Sequence, residues 1–120
     1  MGIDFQKIFD QLQNVITCKW NRMVFYAGYF ESGYTMKFYL KNDGTYKDCF
    51  ALFEEDRVMT AFSNIDKLLL QSREGASNNK WSVITIAVEQ DGTMKSDFAY
   101  DDISSDSIEY FSTWKEKYLN

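Results

Sequence analysis

"WSVITIAVEQDGTMKSDFAYDD", residues 81–102, decides how this chain folds. Val83 to Val88 form a β-branched, apolar run, Asp91-Gly92 interrupts it, and the second half ends in acids and aromatics. Such runs around an Asp-Gly pair read as the two strands of a hairpin. A two-residue Asp91-Gly92 turn would set Ile86 against Asp97 and Val88 against Lys95, splitting the apolar side. A three-residue loop, Gln90 to Gly92, sets Val88 against Met94, Ile86 against Ser96 and Ile84 against Phe98. That choice keeps one side apolar, and where a face is buried the pattern fixes the register. The loop ends on a left-handed residue, a role that suits Gly92.

The same reasoning extends outward. "WNRMVFYAGYF" (20–30) is rich in aromatic and β-branched residues, and "YTMKFYLK" (34–41) alternates, with Tyr34, Met36, Phe38 and Leu40 on one face. A three-residue loop around Asn42-Asp43-Gly44 is expected to pair Leu40 with Tyr46 and Met36 with Phe50. It leads into a third strand-like run, "YKDCFAL" (46–52).

Helical spacing flanks these strands. Ile8, Phe9, Leu12, Val15 and Ile16, preceded by Phe5, recur at the interval of an amphipathic helix. Val58, Phe62, Ile65 and Leu69, joined by Met59 and Leu68, do the same after Glu54, Glu55 and Asp56, which suit the positive end of a helix dipole. Gly75 is a stop signal. A third helix is expected near Asp106, with Glu109 as its capping-box partner and Ile108, Phe111, Trp114 and Tyr118 as its buried stripe. The predicted order is α-β-β-β-α-β-β-α. This is an α+β fold, an antiparallel sheet of about five strands covered by helices, in one domain over residues 1–120. Trp81, Ile84, Ile86, Phe98, Phe111 and Trp114 are expected to form a core joining the second hairpin to the last helix.

Composition narrows function. The chain is 45% hydrophobic and carries 10 Phe, 8 Tyr and 3 Trp, too much apolar surface for a disordered chain. With no histidine, Ser-His-Asp and Cys-His catalysis and His-ligated metals are excluded. Cys18 and Cys49 form no CxxC pair and read as free thiols of a reducing cytoplasm. The amino terminus lacks a signal-peptide pattern and no apolar run is long enough to span a bilayer, so a cytoplasmic location without membrane contact is expected.

The net charge of −5 disfavours direct nucleic-acid binding. That charge is uneven. Residues 89–109 hold seven acids (Glu89, Asp91, Asp97, Asp101, Asp102, Asp106, Glu109) and one base, Lys95, a sum of −6. The other residues hold 11 acids and 12 bases, a sum of +1. Adjacent acids such as Asp101 and Asp102 point in different directions on extended backbone, so they make a poor acid-base pair. "DDISSDSIE" (101–109) lacks the central glycine and ligand order of an EF-hand loop, and Asp106 with Glu109 reads better as a helix cap than as a metal site. No cofactor is expected.

Trp81, "SVITIAVE" (82–89), the Gly92 hairpin, "DFAYDD" (97–102), Trp114 and "KYL" (117–119) together resemble the YezG-like immunity proteins. The resemblance implies a small bacterial inhibitor that neutralises a polymorphic toxin, commonly a nuclease, delivered by specialised secretion or contact-dependent systems. It implies binding without catalysis, with a cognate toxin domain as partner. The acidic segment then becomes a candidate toxin-binding surface, formed by Asp97, Tyr100, Asp101 and Asp102, with Asp106 and Glu109 adding field and capping. The alternative is a small acidic secretion chaperone or adaptor using the same face. Tyr29, Tyr34 and Tyr100, near strand ends, are open to either packing or binding.

Overall fold

The computed structural model describes residues 3–30, 33–75, 81–100, 103 and 107–119. Along them run α1 (Phe5–Gln13), β1 (Arg22–Phe30), β2 (Gly33–Asn42), β3 (Thr45–Asp48), α2 (Cys49–Leu52), α3 (Glu55–Gly75), β4 (Val83–Glu89), β5 (Met94–Ala99) and α4 (Ser107–Tyr118). The fold is α+β in the predicted order, with α2 as one added turn. Two compact units result: residues 1–19 with 49–80, holding α1 to α3, and residues 20–48 with 81–120, holding the sheet and α4.

In the helical unit, Asp4 caps α1 by accepting the Lys7 backbone N–H at 3.1 Å. Ile8 and Leu12 of α1 are buried, as are Val58, Phe62, Ile65 and Leu69 of α3, which bears out the spacing of both helices; Val15 is buried too but, with Ile16, follows the end of α1. Met59 departs from its stripe and is 47% exposed. Glu55 and Asp56 open α3 and Arg73 closes it, each matching the helix dipole. Asn64 donates to Gln11 Oε1 at 3.0 Å and Arg57 to the Asn14 carbonyl at 2.6 Å, tying α3 to α1.

The five strands are antiparallel in the order β3-β2-β1-β4-β5, so the most apolar strand, β1, lies at the centre. The second hairpin pairs Val88 with Met94, Ile86 with Ser96 and Ile84 with Phe98, and Gly92 has φ 93°, as the sequence predicts. The first hairpin differs. Asn42 pairs with Thr45 and Leu40 with Lys47, so the loop is the two-residue turn Asp43-Gly44. Gly44 is left-handed as expected, at φ 81°, but so is Asp43, at φ 54°, the signature of a type I′ turn. The predicted Leu40–Tyr46 and Met36–Phe50 pairs are replaced, because Tyr46 pairs with Lys41 and packs on the face of Tyr39 and Trp114, opposite to that of Leu40. Strand pairing stops at Tyr39 opposite Asp48, and Cys49–Leu52 coils into α2 where a longer strand was expected.

One sheet face carries Met23, Phe25, Ala27, Met36, Phe38, Leu40, Ile84, Ile86 and Val88, all buried. The other carries Val24, Tyr26, Tyr39 and Val83, which cluster with Ile103 and with Trp114 of α4. Helix α4 therefore covers the Val83–Thr85–Ala87 side, opposite to the Ile84–Ile86 side that was expected to receive it. Strand β4 is buried on both sides, which hides this choice from the sequence.

Candidate functional site

The acidic segment begins on β5, the edge strand beside β4. Register sets Asp97 opposite Thr85 and Ala99 opposite Val83, so both lie on the face that α4 covers. Trp114 is buried at the centre of that contact, and its Nε1 donates to Thr85 Oγ1 at 2.8 Å. The hydroxyl belongs to a buried residue of a largely apolar strand, and buried Trp N–H groups need such a partner. Tyr26 packs its ring 4.8 Å from both Phe111 and Trp114.

One turn beyond Trp114, the Tyr118 hydroxyl donates to Asp97 Oδ2 at 2.8 Å. Burial, then the Asp97 hydrogen bond and charge, push the Tyr118 phenol up to about 12, so it keeps its proton and holds the carboxylate in place at neutral pH. Strand and helix enclose a groove of about 380 Å³ lined by Asp97, Phe98, Tyr110, Thr113, Lys117 and Tyr118, among others. Lys117 Nζ lies 5.2 Å from the Tyr118 ring centroid, so the groove has one base near its acid. Nothing in the sequence joins Tyr118 to Asp97, because the contact depends on how α4 lies across the strand.

Of the candidate toxin-binding residues, Asp97 and Tyr100 share one end of β5 and both are exposed, Tyr100 by 58%. Glu109 is exposed in the first turn of α4. Asp101, Asp102 and Asp106 lie outside the described residues, and with them the predicted capping box. Two core expectations are corrected. Phe98 is 39% exposed, because its partner Ile84 has strands on both sides and Phe98, on the edge, has one; the Trp81 ring lies 5.8 Å away. Ile108 is 84% exposed, since it lies six residues from Trp114, about 120° around the helix at 3.6 residues per turn. The effective stripe of α4 is Tyr110, Phe111, Trp114 and Tyr118. Tyr29 is core, its ring 5.6 Å from those of both Tyr34 (tilted) and Trp81 (edge-on), and Tyr34 remains at the surface.

The negative charge is less uniform than its sequence density suggests. Glu89 faces Arg22 across the β1–β4 ladder, with Arg22 Nε 3.4 Å from Glu89 Oε2. Asp91 accepts the Thr93 backbone N–H at 2.9 Å, which holds its carboxyl below the usual range. Both belong to the hairpin tip. From Thr93 to Asp97 the strand covers about 13 Å at ~3.3 Å per residue, more than a Debye length of about 8 Å at physiological salt. Asp97 therefore acts apart from the acids of the hairpin tip.

Among the described residues no group of His, Cys, Asp and Glu could hold a metal ion. Among them, too, no helix is long and apolar enough to cross a membrane. Cys18 is exposed and Cys49 buried, and neither is in a disulfide. Compared with known families, residues 3–120 match the family described as "Immunity protein YezG-like". A search of curated proteins gave no match.

Proposed function

Because the chain belongs to the YezG-like immunity protein family, we propose that it binds and neutralises a cognate bacterial toxin domain with a basic surface, a nuclease, through the surface around Asp97, Tyr100, Asp101 and Asp102. The observation that carries this reading is the charge run: from Asp97 to Glu109 there are five acids and no base. A nuclease must present lysine and arginine to hold phosphates. An inhibitor with a local acidic surface competes for that same charge and is steered to it. Tyr100 and Ile108 are exposed within the same run and supply the aromatic and apolar contacts that anchor an interface. Asp106 and Glu109 add to the field. Inhibition is by occupancy, with no bond made or broken, and the protein acts in the cytoplasm, where the toxin arrives.

The test is growth rescue. Cells expressing the toxin domain encoded beside this gene should survive only when the protein is co-produced, and the purified pair should form a complex. A chaperone or adaptor would bind without protecting, and that outcome would overturn the reading.

A further inference from the structure

Strand β5 ends the sheet, and among the described residues no strand pairs with its outer side. The backbone groups on that side can be assigned. Ladder bonds alternate along an antiparallel pair. Glu89 N–H donates to the Thr93 carbonyl at 2.8 Å, and Tyr29 N–H donates to the Ser82 carbonyl at 2.7 Å. With the observed register, Lys95 and Asp97 turn their N–H and C=O groups toward β4, and Met94, Ser96 and Phe98 turn theirs outward. Protected edges carry proline, bulges or a net excess of charge. This one runs unbroken from Met94 to Ala99, and its two charges, Lys95 and Asp97, cancel.

Those charges stand symmetrically about Ser96, one residue to each side. We propose that β5 is a self-recognition edge, pairing antiparallel with β5 of a second copy about a dyad at Ser96. In that register Lys95 faces the partner's Asp97 and Asp97 faces the partner's Lys95. These are non-hydrogen-bonded pairs, the ones in which opposed side chains come closest. Met94 faces the partner's Phe98, twice over, which covers an aromatic ring that is 39% exposed in the single chain. The outward backbone groups of Met94, Ser96 and Phe98 all find partners. Moving the dyad to Met94 would set Asp97 against the partner's Asp91, a like-charge contact that disfavours that register. A twofold pairing of this kind closes on itself and yields a dimer, not a fibre.

The assay is molar mass in solution across a concentration series, with the full chain. Wild type should rise from 14.1 kDa toward twice that value. Lys95→Asp and Asp97→Lys should each remain monomeric, since each sets like charges together. Mixing the two single variants should form a heterodimer, because every reversed charge then meets its opposite. Ser96→Pro removes an outward N–H on an edge, where proline is tolerated, and should be monomeric with an unchanged circular-dichroism spectrum. A wild type of constant mass overturns the proposal, as does a dimer that survives both reversals or a mixture that does not associate. Toxin binding is scored separately. If wild type is monomeric and Ser96→Pro loses its toxin, the edge serves a toxin strand and self-pairing is wrong; if Ser96→Pro is monomeric and still protects, self-pairing stands and the toxin reading is untouched.

Discussion

Tyr26 shows how much a single buried side chain sets the conditions under which this sheet and α4 stay together. Burial, then Tyr110, push its phenol from 10.0 up to about 12. The folded state thus binds the proton more tightly than the unfolded state. The stabilisation is present in full below pH 10 and drains away as pH rises toward about 12. At 1.36 kcal/mol per pKa unit the loss approaches about 3 kcal/mol. Tyr26→Phe should flatten that alkaline decline in thermal stability relative to wild type, and an equal slope in both would remove Tyr26 as its cause. Packing makes a second contrast. Trp114 is 3% exposed and Phe98 39%, so Trp114→Ala should cost about 3–5 kcal/mol and Phe98→Ala about 1 kcal/mol in chemical denaturation. Equal costs would mean that Phe98 belongs to the core after all.

At the scale of elements, the second hairpin was legible and the first was not, for one physical reason. Strand β5 alternates with a side that can be told from its opposite, so only one register kept Ile84, Ile86 and Val88 together. Strand β2 alternates too, but Tyr46 of β3 joins Tyr39 and Trp114 on the face opposite Leu40, so matching apolar residues across the loop favoured the wrong register. The Asp-Gly dipeptide does not decide the loop length, since it closes a two-residue turn at Asp43-Gly44 and a three-residue loop at Asp91-Gly92. In the first hairpin Asp43 itself is left-handed, a conformation that Asn shares. Asp43→Asn should therefore leave stability unchanged, and Asp43→Val should lower it by about 1–2 kcal/mol through the left-handed penalty. No difference between the two by thermal melting would contradict the two-residue loop. The helix spacings located α1, α3 and α4, but the face that receives α4 depended on Thr85 offering a hydroxyl to Trp114. Tyr118 joined the candidate site for the same kind of reason, through a contact 21 residues long in sequence. Charge clustering was readable from the start; its division between hairpin tip and strand end needed the register and the Arg22–Glu89 pair.

For the whole molecule, charge organisation is the property that bears on function. The acids from Asp97 to Glu109 follow one another without a base, and the rest of the chain is close to neutral. If this surface grips a basic toxin domain, association should be fast at low salt and slow as salt screens the field. Asp101 and Asp102 follow β5 in the chain and are the densest part of that run. The most direct measurement is the association rate of the cognate toxin with wild type and with the Asp101→Lys, Asp102→Lys double variant, at low and at high salt, with growth rescue alongside. The double variant is expected to keep its fold, associate more slowly, respond less to salt and protect poorly. Binding and protection equal to wild type at both salts would contradict the account, and would reduce the acidic run to a solubilising surface.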